Sequence, residues 1–181
     1  MWLPPVTISA PATGAVTLAA VKEFVRIADD DTSFDVELEA TLDGVIAEVE
    51  RLSATRLITQ TVLIVSSTFD DLDALPIGPV QSVASVQHLD VTGAEQTLGS
   101  DAYRLTGGSL SWRILPAINS TWPSVSNAPD AVRVTVIAGY GPAPESIPAN
   151  IRAAILRATR AQFDGTSFDL EPLLVNDRIW L

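Results

Sequence analysis

Apolar and polar side chains alternate with a period of two in residues 131–138, where Val132, Val134, Val136 and Ala138 interleave with Arg133, Thr135 and Ile137. That spacing predicts a β-strand with unlike faces. Gly139-Tyr140-Gly141-Pro142 ends it, and a helix is expected over residues 148–163. Ser146 is placed to cap that helix and Pro148 suits its first turn, while Ile151, Ala154, Ile155, Ala158 and Gln162 line one face. Steps of three and four recur earlier in the chain. Leu18, Val21, Val25 and Phe24 give the apolar side of a short helix over residues 17–27, capped by Thr17. Phe34, Leu38, Leu42, Val45, Ile46, Val49 and Leu52 give a broader stripe on a longer helix over residues 33–53. Between the helical parts, strands are expected over residues 58–67, 80–89, 95–98, 103–105, 109–115 and 131–138. They are punctuated by Pro76, Gly78 and Pro79, by residues 90–93, by a Gly107-Gly108 turn and by residues 116–129, breaks suited to an antiparallel meander.

This order of elements predicts an α+β fold in one domain: a helical bundle made by the N- and C-terminal parts, with an antiparallel β region inserted between them. The expected bounds are an extended arm over residues 1–16, a helical core over 17–56 and 147–167, a β insertion over 57–146 and a C-terminal tail over 168–181. Pro4, Pro5 and Pro11 keep the arm from becoming helical, and Trp2 is expected to dock on the fold. The tail carries Leu170, Leu173, Leu174, Val175, Ile179, Trp180 and Leu181, a large apolar surface to leave in water. Either packing onto the helical bundle or docking on a partner accounts for it.

Composition narrows the chemistry. A chain of 181 residues can bury roughly 70% of its unfolded surface without staples. It has no cysteine, which removes thiol catalysis, cysteine metal sites and disulfides. The first 20 residues lack the basic start and apolar core of a signal peptide, and no membrane-spanning pattern is seen. A net charge of −11 opposes binding to phosphate backbones. Lys22 is the single lysine, so the positive charge is almost all arginine, suited to bidentate pairing with carboxylates on protein partners.

No catalytic or cofactor site emerges. His88 is the single histidine and sits in an expected strand, so no histidine-dependent triad or metal site can be assembled around a second one. Asp70, Asp71 and Asp73 could suggest a hard-cation loop but lack the spacing, central glycine and distal glutamate of an EF-hand. Asn119-Ser120-Thr121 fits a glycosylation acceptor, a pattern without meaning outside secretion. Tyr103, Trp112 and Trp122 would allow a stacking platform for sugars or bases, although core packing explains them as well. Plentiful acids admit a glycosidase, yet no carboxylate pair stands out. The acids do cluster: nine of the 22 lie between Asp29 and Glu50, with no base among them. Asp35, Glu39 and Asp43 follow at four-residue steps, a row of like charges that disfavours an isolated helix by about 0.2–0.5 kcal/mol per pair. Either a hydrated face or an interface to arginines of a neighbouring copy accounts for the row, with Arg152, Arg157 and Arg160 as the expected partners.

Four short motifs occur in a telling order: Val16-Thr17-Leu18-Ala19, the helix exit Ala54-Thr55-Arg56-Leu57-Ile58-Thr59-Gln60-Thr61, Leu75-Pro76-Ile77-Gly78-Pro79-Val80-Gln81-Ser82-Val83, and Ala138-Gly139-Tyr140-Gly141. In that order and spacing the chain resembles the head-to-tail connector family of tailed phages, also called adaptor or head-completion proteins. It departs from the family pattern at Ala20, where a capping-box acid is common, and at Ala54-Thr55, where a glycine is frequent. The resemblance implies a non-enzymatic virion protein in the neck of a phage, prophage or gene transfer particle, made in the bacterial cytoplasm. It implies a ring, usually dodecameric, under the portal protein, extending the DNA channel without specific DNA binding and offering a platform to a stopper or tail protein. No cofactor and no membrane are implied. Leu173, Leu174, Ile179, Trp180 and Leu181 are the residues expected to dock on the portal. The alternatives are another virion component, such as a stopper or tail terminator, and a carbohydrate-binding β module.

Overall fold

In the computed structural model, which describes residues 1–180, the alternating segments become paired strands. Strand β1 spans Val6–Ser9, β2 Gln60–Ser66, β3 Val80–Leu89, β4 Glu95–Thr97, β5 Tyr103–Gly108, β6 Ser111–Pro116 and β7 Val132–Ala138. The helices are α1 (Leu18–Val25), α2 (Asp35–Ser53), α3 (Ala149–Phe163) and the short α4 (Glu171–Leu174), so the chain is α+β as expected. They gather into two compact units. One contains Met1–Ala10, Thr59–Gly139 and residues 179–180; the other contains Pro11–Ile58 and Tyr140–Arg178.

In the first unit a five-stranded antiparallel sheet runs in the order β1-β2-β7-β3-β4. This departs from the expected meander, because β7 enters between β2 and β3. Its β-branched residues suit a doubly paired central strand, with Val132, Val134 and Val136 fully buried on one face. Register runs from Gln60↔Ala138 to Ser66↔Val132, so Val62 and Ile64 join the same core. Part of the proline-rich arm is recruited as edge strand β1, paired with β2 through Val6↔Leu63. Prolines 4, 5 and 11 bracket it and keep this edge short.

Strands β5 and β6 form a separate two-stranded ribbon. Its turn is Ser109-Leu110, two residues later than the expected Gly107-Gly108, since Gly108 pairs with Ser111 inside the ladder. Gly107 serves the ribbon differently. At φ 132° it lies where a Cβ would run into the carbonyl of Ser111, so the close approach of the strands requires glycine there.

The second unit is built on the periodic stripes. Val21 of α1, Leu38, Leu42, Val45 and Val49 of α2, and Ile151, Ala154, Ile155 and Ala158 of α3 share one core. Each fully buried Leu or Ile contributes about 1.5–3 kcal/mol of transfer free energy. Thr17 caps α1 as expected, its Oγ1 accepting the Ala20 N–H at 3.2 Å. Ser146 does not cap α3: it closes a 3₁₀ turn over Pro144–Ser146, and the helix begins after Pro148. Buried Ile147 occupies the extended step between them. Ala54, where the sequence departs from the family's glycine, ends α2 in the left-handed region at φ 55°.

Candidate interaction surfaces

The acidic row on α2 divides on folding. Asp35 faces inward, where its Oδ1 lies 3.0 Å from Nζ of Lys22, whose side chain is only 4% exposed. The approach is that of an ion pair without hydrogen-bond alignment. Lys22 also donates to the carbonyl of Asp29 at 2.8 Å, so the single lysine ties α1 to the acidic loop and to the start of α2. Glu39 and Asp43 stay exposed, beside Val36 at 81% exposure.

The three α3 arginines also separate. Arg157 and Arg160 are exposed, whereas Arg152, on the opposite side of Arg160 from Arg157 at 100° per residue, is half-buried. Arg160 turns back to Asp164, 3.4 Å away on the same face.

The tail is likewise divided. Leu174 is buried in the helical core and Ile179 in the sheet unit, where its Cδ1 lies 3.2 Å from the Cβ position of Gly78. Packing inside their own chain accounts for these two residues, because Leu174 fills the helical core and Ile179 is buried beside Gly78. Leu173 and Trp180 are exposed, at 40% and 67%, and Leu181 lies outside the described residues.

The Gly-Tyr-Gly punctuation has a structural use. Gly141 is buried where a Cβ would overlap the Ser146 side chain, which allows the chain to turn sharply into α3. Beside it, burial pushes the Tyr140 phenol up to about 12, the charge of Asp177 adds to this, and a hydrogen bond from Thr55 opposes it. Thr55 in turn shares a 2.6 Å hydrogen bond with Ser53. Nearby, burial raises the Glu50 carboxyl above its usual range although it accepts the Leu57 N–H at 2.9 Å. These polar groups seal the exit of α2 against the start of α3.

The remaining candidates are part of the fabric. His88 is 5% exposed, and its ring lies 5.5 Å from that of Phe69, which stacks on Trp122 at 4.5 Å. The aromatic side chains thus pack against the sheet core, as do Tyr103 and Trp112. Asp71 accepts from the Ser66 hydroxyl, and Asp73 receives Arg113 at 3.4 Å. Among the described residues, no group of three metal-ligating side chains comes together and no helix is long and apolar enough to cross a membrane.

The fold is shared with chains of gene transfer agent particles. A chain of the neck of an empty gene transfer agent (GTA) particle, computed with C6 symmetry, superposes with a TM-score of 0.80 at 20% identity, covering 99% of this chain and 97% of that one. A chain of the virion of a native GTA particle gives 0.78 at 19% identity, with the same two coverages. A chain of the neck of a native GTA particle, computed with C12 symmetry, gives 0.68 at 21% identity over 96% of both chains. No protein-family model and no curated protein sequence matches. The fold is therefore matched along almost the whole chain at low sequence identity.

One further surface forms only when the chain folds. On the β5–β6 ribbon, Leu105, Ile114 and Trp112 turn to the core, so Arg104, Thr106, Ser111, Arg113 and Leu115 form the outer face. They line a shallow groove of about 570 Å³ that has no carboxylate among its walls. The signal was the alternation Arg104-Leu105-Thr106 against Trp112-Arg113-Ile114, which reads as a two-faced ribbon once the turn is placed at Ser109-Leu110.

Proposed function

We propose that the chain is a non-enzymatic head-to-tail connector: a ring-forming neck protein that sits under the portal, extends the DNA channel and receives a stopper or tail protein. The observation that carries this reading is the full-length fold match to chains from GTA necks, at a TM-score of 0.80. The motifs shared with phage adaptors choose the connector role among neck components. The net charge of −11 suits a wall past which DNA slides, since it repels phosphates. Exposed Glu39 and Asp43 serve the contact between copies, and exposed Leu173 and Trp180, with Leu181, meet the portal.

The test is the light-scattering mass of the purified chain, alone and mixed with the portal protein encoded beside it. A ring-sized complex that co-migrates with the portal is the expected result. No association, with the chain folded and the portal ring intact, overturns the connector role. Deleting residues 180–181 is expected to weaken portal binding.

A further inference from the structure

We propose that the outer face of the β5–β6 ribbon is a docking site for the acidic flank of α2 on a second copy of this chain. The inference rests on the ring reading above and names the surfaces that would close the ring. On α2, Glu39 and Asp43 are exposed one helical turn apart, which sets their Cβ atoms about 6 Å from each other. On the ribbon, the register Thr106↔Arg113 and Arg104↔Leu115 makes Arg104 and Arg113 diagonal neighbours, about 7 Å apart. Two carboxylates and two guanidiniums at matching spacing can form two bidentate pairs, the geometry arginine favours.

The apolar parts agree as well. Val36, 81% exposed, and Ala40 adjoin the acids on α2, and Leu115 and Thr106 adjoin the arginines on the ribbon. The ribbon face is preorganised, because its other side is anchored by buried Ile114 and its tip is held by the Trp112 Nε1–H donating to the Ser109 carbonyl at 2.7 Å. Arg104 is exposed at the wall of the groove, and the pairing of Arg113 with Asp73, at 3.4 Å between exposed groups, is weak enough to exchange.

On α3 the rival face is that of Arg157 and Arg160, since Arg152 is half-buried; Arg160 is paired with Asp164 at 3.4 Å just as Arg113 is with Asp73, so variants of Arg104 and Arg157 decide between the two faces. Since the acidic helix and the basic ribbon are different patches, each copy offers both, and the contact is heterologous, the kind that closes into a ring.

The absence of cysteine makes the test clean. Chains carrying Ala40→Cys are mixed with chains carrying Thr106→Cys, alone and with the portal, and oxidised; a disulfide between unlike chains, absent from either variant by itself, is expected. In parallel, Arg104→Glu is expected to weaken self-association roughly tenfold, with Glu39→Arg in the same chain recovering most of the loss. Arg104→Ala, a milder change with the circular dichroism of the parent as a folding check, should weaken it less. A ring of full mass that forms no such disulfide overturns this interface and leaves the ring reading standing. Loss of assembly on Arg157→Glu with none on Arg104→Glu also overturns it, in favour of α3. A chain that stays monomeric alone and with the portal overturns both.

Discussion

Replacing Lys22 by methionine is expected to cost the helical unit about 2–3 kcal/mol. The substitution keeps the aliphatic stem packed and removes only the charge. Taking one partner from a buried ion pair commonly costs about 3–5 kcal/mol, because the other charge is left without compensation. Here Asp35 retains 26% of its side-chain exposure and the pair lacks hydrogen-bond alignment, so water recovers part of the loss and about 2 kcal/mol is the fitting scale. Losing the hydrogen bond to the Asp29 carbonyl, 2.8 Å long, adds about 0.5–1 kcal/mol. For a chain of this size each kcal/mol shifts the melting temperature by about 2–4 °C, so a drop of about 5–10 °C follows. The assay is thermal melting by far-UV circular dichroism, which follows the helices. Tryptophan fluorescence is the internal reference, because all four tryptophans belong to the sheet unit. Adding Asp35→Leu to Lys22→Met is expected to restore most of the loss by removing the orphaned carboxylate. A drop below about 1 °C, or a double variant no better than the single, would refute the claim that this ion pair holds α1 to α2.

Two further outcomes follow from local geometry. Ala54→Gly is expected to stabilise the chain by about 0.5–1 kcal/mol in urea denaturation, because the residue holds a left-handed φ of 55° that costs an L side chain and not glycine. A loss of stability would show that the alanine methyl packs too well to give up. Asp90 accepts from the Thr92 hydroxyl and N–H, from Gln96 and from the Ala94 N–H, and these bonds lower its carboxyl to about 2 from an ordinary 3.8. A lowered folded value means that the stabilisation is complete above the unfolded value and is lost as pH falls from about 4 towards 2. The melting-temperature gap between the parent and Asp90→Asn should therefore narrow over that range, and a gap that widens on acidification would contradict the assignment.

Much of this protein could be read along the chain. The period-two and period-three-to-four patterns name the strands and helices because burial on one face is a local property of spacing. Thr17 could be recognised as a cap, and the absence of cysteine and the excess of acids define the class of chemistry. The motifs around Tyr140 and Gly78 resemble those of a phage neck family, and the fold is shared with chains of gene transfer agent necks. Other features are not local. Which strand sits between which depends on pairing across the whole sheet, so the insertion of β7 between β2 and β3 could not be inferred from any one segment. Leu174 and Ile179 look alike in sequence but are buried in different units. Lys22 looks like a surface residue until Asp29 and Asp35 close over it, and Arg152 is half-buried while Arg157 and Arg160 are exposed, because the packing around α3 decides how far each side chain is covered. Arg104 and Arg113 become a pair only when a turn at Ser109-Leu110 folds one strand onto the other. Spacing determines which side of an element is buried; only the tertiary structure decides against what, because that choice is made by residues far away in the chain.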